Sequence, residues 1–398
     1  MKRRSGFVLV LLLCARALTA QEPTAPPSAG PGRTSVTTEQ VKAAIEKLGT
    51  LDFAVRTDAG RTVRRAAGNV AVPALTEAAT SHKDGYVRFR ALVLLSGFND
   101  PRTRDVMTVM LAEKNDRLRA VAYSYFGHDP DPAALPRLID ALTREESEFV
   151  RPALTRAIVA HGNDPRARDT VVALVMKGQD FFRSSVIEAV GDYKVAHAFT
   201  ALTGIAKLDG PLQDDAVIAL GKIGDKRALE TFAALQRTAP KNTQPAIAAA
   251  ICLLGVNCAS HQGYLNESLR FAIANIGHQE LVRNATAGLA ALAAVRGNEE
   301  AVTTLIDQGA PSRDPARAAI ALALGTVALR NTPLLLKVLE QQKDPDPALE
   351  LLREAFDMLE EDFEEERFFV LVRRTYWQAA ASSPTRKAAE ALIRKLEF

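Results

Sequence analysis

From about residue 37 onward the apolar residues recur at i, i+3, i+4 and i+7, the signature of helices with one buried face. Val41, Ala44, Ile45 and Leu48 open the series behind a Thr37 and Gln40 pair at capping-box spacing. Alternation of apolar and polar residues never persists long enough for a strand. Between Tyr86 and Tyr193 the helical pattern repeats. An apolar residue followed by arginine appears at Val87-Arg88, Leu118-Arg119, Val150-Arg151 and Phe182-Arg183, so the arginine returns in nearly equal steps. Each copy runs into an apolar stretch closed by Gly97, Gly127, Gly162 or Gly191, read as helix stops, with an Asp within the next three positions. A period of roughly 30 residues predicts stacked helix pairs, each burying its apolar face against the next.

Pairs of short helices follow from Val70, for example Tyr86–Ser96, Arg117–Phe126 and Leu212–Leu220 as second helices. Before them a helix over about Leu51–Ala67 ends at Gly68, and near the end one helix spans Pro347 to about Phe363. Asp100-Pro101, Asp131-Pro132, Asp164-Pro165, Asp314-Pro315 and Asp346-Pro347 each place an N-cap aspartate before a proline suited to the first helical position. The helix pairs, the apolar-Arg-x-x-Ala opening and the close Ala219-Leu220-Gly221-Lys222-Ile223-Gly224-Asp225 resemble HEAT repeats, in particular the short bacterial type also found in phycobilisome lyase subunits. The resemblance covers about Val70–Phe363. It implies an all-α, right-handed α-α superhelix (a HEAT-like α-solenoid) whose second helices line a concave face used to bind other proteins.

Composition adds limits. Hydrophobic residues make up 47% of the chain and aromatics only 6%, which suits closely packed helices. The net charge of +3 does not suggest a nucleic-acid-binding surface. Residues 1–20 read as a secretory signal, with Lys2, Arg3 and Arg4 before the apolar Phe7–Ala15 run, which is too short to span a membrane. Residues 21–35, rich in Pro and Gly, read as a flexible tether, leaving 36–398 as the solenoid, with its clearest repeats at 70–331 and a cap at about 364–398. The protein is therefore expected outside the cytoplasm, periplasmic or extracellular, as a monomer without an integral membrane segment. Signal removal leaves Cys252 and Cys258. With Gly255 as a helix stop between them they can meet as a disulfide or remain separate core residues.

Three groups invite a functional reading. Arg88, Arg119, Arg151 and Arg183, with weaker continuations at Arg283 and Arg317, form a ladder that either pairs with Asp84, Asp116, Glu148 and Asp180 or presents guanidinium groups to an acidic partner; Gln213 interrupts it. His128 and His161 sit in the last turns of two second helices, where the helix dipole favours them. The acidic run Glu360–Glu366 reads as a solvated helix face, and Phe368, Phe369, Tyr376 and Trp377 as the seal of the last unit. Phosphate loops, nucleophile elbows and zinc-ligand spacings are missing, so no catalytic residue, metal or cofactor is assigned. The expected function is a non-catalytic scaffold for a protein partner; a HEAT-like lyase or other enzyme, and a binder of an anionic glycan or membrane surface, are the alternatives.

Overall fold

The computed structural model describes residues 36–275, 277–359 and 361–398. The signal and tether readings, residues 1–35, lie outside the described residues. Residues 36–398 form one unit of α-helices. The helices come in pairs: α1 (Thr38–Lys47) with α2 (Phe53–Arg65), α3 (Gly68–Ser81) with α4 (Gly85–Ser96), α5 (Arg102–Met110) with α6 (Asp116–His128), α7 (Leu135–Arg144) with α8 (Arg151–Ala160), and α9 (Arg168–Met176) with α10 (Asp180–Asp192). The series continues as α11 (Phe199–Ala206) with α12 (Gln213–Ile223), α13 (Ala228–Thr238) with α14 (Gln244–Leu253), α15 (Cys258–Ala274) with α16 (Gln279–Arg296), and α17 (Glu299–Gly309) with α18 (Ala316–Arg330); α19 (Thr332–Gln341) and α20 (Asp346–Leu359) follow, each packed on α18. Two more helices, α21 (Asp362–Gln378) and α22 (Pro384–Lys395), end the chain. This is an α-solenoid.

The local chemistry explains the boundaries. The Thr37 hydroxyl accepts from Gln40 N–H while the Gln40 side chain accepts from Thr37 N–H, so the capping box opens α1. Asp100, Asp131 and Asp164 each accept the N–H two residues ahead, satisfying donors that a first helical turn leaves free. Two boundaries differ from expectation. Gly68 opens α3 instead of stopping α2, and the helix expected over 347–363 ends at Leu359, with Asp362 beginning a separate helix, α21.

From α6 to α20 the even-numbered helices pack most closely on one another and form the inner layer. Small residues allow this. A Cβ on Gly191 would lie 2.8 Å from Ala219 Cα, and one on Gly221 2.7 Å from Ala250 Cα, distances that atoms do not tolerate. Both glycines lie inside α10 and α12, so their role is close helix approach, and Gly191 is not the stop read from the sequence. The stop is Gly224, at φ +86°, a left-handed conformation that glycine adopts without strain. The core falls into two clusters, one from Val41 to Leu254 and one from Ala248 to Phe398. Phe363 is the exception: it belongs to α21 yet is buried in the first cluster. The chain's last turns therefore return to its beginning.

Among the described residues no single helix is long and apolar enough to cross a membrane; α18 and α19 reach that length and apolarity only together, across a 115° bend.

Candidate functional site

The arginine ladder is placed by helix-end chemistry. The last carbonyls of an α-helix have no partner within it, and each ladder side chain supplies one. Arg88 Nε donates to Ala79 O (3.0 Å), Arg119 to Glu113 O and Lys114 O (2.8 and 2.9 Å), Arg151 to Glu145 O (3.0 Å) and Arg183 Nε to Val175 O (2.9 Å). Gln213 and Gln244 do the same for Ala206 O and Ala239 O at 3.0 and 3.1 Å, and Arg317 for Ala310 O at 2.8 Å. The position calls for a long side-chain donor, which is why glutamine can replace arginine there. Charge is then used between units. Arg88 pairs with Glu113, and Arg119 makes a two-pronged pair with Glu145 at 2.7 and 2.8 Å, a geometry that suits the planar guanidinium. Burial pushes the Glu145 carboxyl up, but Arg119, the Ser147 N–H and Tyr123 together bring it below its ordinary range. Of the acids expected to pair, Asp84 caps α4 and Asp180 meets Arg183, whereas Asn115 caps α6 in place of Asp116. Arg283 is exposed beside Glu280 and is not a member of the ladder. These helix-end bonds account for the positions of Arg88, Arg119, Arg151 and Arg183 within the stack.

A second set of cations, outside the repeat period, lines the inner face. Arg64 on α2 grips Glu366 through Nε (2.9 Å) and a terminal nitrogen (2.5 Å); the two side chains are 8% and 2% exposed. Arg90 on α4 pairs with Asp362. His128, at the end of α6, donates through Nε2 to Glu364 and accepts at Nδ1 from Arg367. Arg330 on α18 lies 3.7 Å from Glu364 on the other side. Every one of these acids is on α21. The acidic run is therefore buried against arginines across the inner face, which corrects the expectation of a solvated helix face. Its partners on α6 and α2 are 236 and 302 residues away in the chain. Gly97 makes the approach possible, since a Cβ there would meet Glu366 Oε1 at 2.9 Å. Phe363 stacks on the His128 ring at a centroid distance of 5.5 Å, within the range of favourable ring pairs. Behind it Phe356, Phe368, Phe369 and Phe398 seal the C-terminal end, as expected of the first two of the four aromatics read as a cap.

Beside this closure lies a cavity of about 800 Å³. The wall from α16 and α18 carries the apolar Ala287, Ala291, Val295 and Leu322 with Arg283 and Arg330 at its edges; the other, from α8, α10 and α12, is charged. There Asp192 bridges Arg156 (2.5 Å) and Lys222 (2.7 Å). Burial alone would raise the Asp192 carboxyl, but the two cations hold it down at about 2, the usual outcome when opposite charge outweighs desolvation. Burial pushes the neighbouring Asp214 and Asp215 carboxyls up. A second cavity of about 650 Å³ separates α21 from α4, α6 and α8. His161, by contrast, is buried between Ala157 O and Asp131 O at 2.8 and 3.0 Å, tying the end of α8 to the turn that opens α7. Cys252 and Cys258 lie at the end of α14 and the start of α15 with Cα atoms 4.3 Å apart.

A family profile described as HEAT repeats matches residues 72–158. That stretch is made of HEAT repeats. It covers α4, α6 and α8, whose cations Arg90, His128 and Arg156 belong to the inner face. No curated protein matches the chain. Among solved structures, Escherichia coli YibA is similar at 21% identity over 55% of this chain and 81% of that one, with a TM-score of 0.40. Importin beta is similar at 11% identity, over 90% of this chain and 58% of that one, with a TM-score of 0.37. A chain from the CpcE–CpcF complex of the Nostoc phycocyanin lyase is similar at 18% identity over 85% of this chain and 100% of that one, with a TM-score of 0.26.

Proposed function

We propose that this protein is an exported HEAT-repeat scaffold that works by binding a protein partner on its inner face. The supporting observation is the inner cavity of about 800 Å³, walled by small apolar residues on one side and by Arg156, Asp192 and Lys222 on the other. Such a surface presents side chains from several repeats to one extended or helical segment. The N-terminal basic and apolar pattern of residues 1–20 supports export. The cavity also has the volume of a small-molecule site, which makes a ligand-binding or enzymatic scaffold the second reading.

Photo-crosslinking decides between them. A photoreactive residue at Ser184 or Thr326, inside the cavity, should trap one protein in saturable fashion in envelope extract, whereas the same residue at Val109, 65% exposed on an outer helix, should not. Equal trapping from Val109, or trapping of nothing but a small molecule at Ser184, overturns the proposal. Export is checked on the secreted chain: its N-terminus should lie near Gln21, and a chain that keeps residues 1–20 refutes this part.

A further inference from the structure

The inner face is already occupied. α21 is held there by Arg64, Arg90, His128 and Arg330 through Glu366, Asp362 and Glu364, and by Phe363 inserted into the N-terminal core. The fit is incomplete in three respects. The Nε groups of Arg90 and Arg156 are buried without a hydrogen-bond partner among the described residues, although a buried donor left unpaired is costly. A cavity of about 650 Å³ remains between α21 and α4, α6 and α8, lined by Phe89, Phe149, Arg117 and Arg156. Glu365 has no ion pair among the described residues and burial pushes its carboxyl up to about 7, and burial raises Glu361 and Glu364 as well. A guanidinium-lined groove thus holds an acidic helix that saturates neither its donors nor its volume.

We infer that α21 is a displaceable strap in a groove built for acidic, aromatic-bearing helices, and that the protein partner of the inner face carries such a helix and takes its place. The inference rests on the proposed binding function and deepens it by naming the partner's chemistry. α21 displays that chemistry in its first turns: Phe363 on the buried side against the His128 ring, next to Glu364 and Glu366, which face His128 and Arg64. The strap competes with the partner in cis, so apparent affinity falls in proportion to the closed fraction. Its release is expected to be local, because α21 follows a break after α20 and the inner-layer helices from α6 to α20 pack on one another without it.

The test uses the full chain and a labelled synthetic peptide of residues 361–378, followed by fluorescence polarisation and by hydrogen exchange. In the wild-type chain the α21 amides should exchange at least tenfold faster than those of α12; equal protection makes α21 part of the common cooperative unit and overturns the inference. In the variant Asp362→Asn, Glu364→Gln, Glu366→Gln, α21 should exchange at least tenfold faster still, and the peptide should bind at least tenfold tighter than to wild type. A peptide with its acidic residues at 361–366 amidated should bind at least tenfold more weakly. An unchanged strap, or an open strap with no peptide binding, overturns the inference. Should the variant not fold, the wild-type exchange result decides alone. Partner crosslinking from Ser184 with a strap that never opens would refute the strap while leaving the binding function in place.

Discussion

The molecule uses arginine in two ways, and the contrast separates its architecture from its candidate function. Ladder arginines recur once per repeat and reach back a few residues to a helix end, and Arg88 and Arg119 also reach on to the next unit, as Arg119 does with Glu113 O and Glu145. Inner-face arginines obey no period and reach across the molecule, as Arg64 does to Glu366, 302 residues on. A contact demanded by every unit writes itself into the repeat; one made once does not. Periodic charge in a solenoid is therefore first a stacking device, and charge outside the period marks where the array departs from its own regularity.

The largest expected effect tests the brace. Glu145 is buried and accepts from Arg119, Tyr123 and the Ser147 N–H, so Glu145→Ala leaves a partly buried guanidinium and a phenol without their acceptor. Breaking a buried pair from one side typically destabilises by about 3 kcal/mol or more. The urea midpoint should fall accordingly, with α6 to α8 losing exchange protection first; a loss below about 1 kcal/mol would show that the ladder does not hold the stack. The carboxyl's folded-state value lies below its unfolded one, so the pair's contribution is present above the unfolded value of about 4.5 and is lost as pH falls through the folded value. Acid unfolding of wild type, but less so of the variant, should show it.

The next effect lies where the ladder changes. Gln213 and Gln244 keep the helix-end bond but lose the charge, and just beyond them Cys252 and Cys258 meet with a sequence separation of 6. We propose that a disulfide here staples α14 to α15 in place of a charged brace. For so short a loop the chain-entropy account gives about 2.4 kcal/mol, which reduction should remove from the unfolding free energy. Two free thiols in the folded, oxidised chain, counted by alkylation and mass, would refute it.

The strap should respond to pH with the opposite sign to the brace. Glu365, facing Asp362, Arg90 and Glu361, is pushed by burial up to about 7, so the closed state binds a proton more readily than the open one. Its contribution is fully present below the unfolded value of about 4.5 and is lost as pH rises through about 7. On the scale of that shift, α21 protection should weaken by about 2 kcal/mol between pH 5 and 8 while α7 and α8 stay unchanged. Parallel behaviour of the two regions would erase the distinction between strap and brace.

Much of the fold is legible in the chain itself. The helix pairs, the Thr37 box, the aspartate caps at 100, 131 and 164 and the ladder's spacing all follow from interactions within a few residues or one unit, which leave a local or periodic trace. The site is less legible. Arg64 and Arg90 carry no period, and Glu364 and Glu366 at helical spacing look the same whether they face water or Arg64. The break between α20 and α21 falls inside a run whose apolar spacing continues, so the turn toward the inner face leaves no punctuation in the chain. Gly97 reads as a helix end; that its missing Cβ makes room for Glu366 depends on a segment near the far end of the sequence.

The smallest effect is the most discriminating about what a ladder position needs. Arg183 donates to Val175 O and pairs with Asp180, whose side chain is 51% exposed, so its charge is largely screened. Exposed pairs of this type contribute about 0 to 1 kcal/mol. Arg183→Gln keeps a long donor for the carbonyl, as Gln213 does at the next unit, and should cost less than about 0.5 kcal/mol. Arg183→Leu removes the donor, leaves the helix end unpaired and should cost about 1 to 2 kcal/mol. If the two variants melt alike, charge and not helix-end donation is what the period preserves, and the ladder returns to consideration as a surface for an acidic partner.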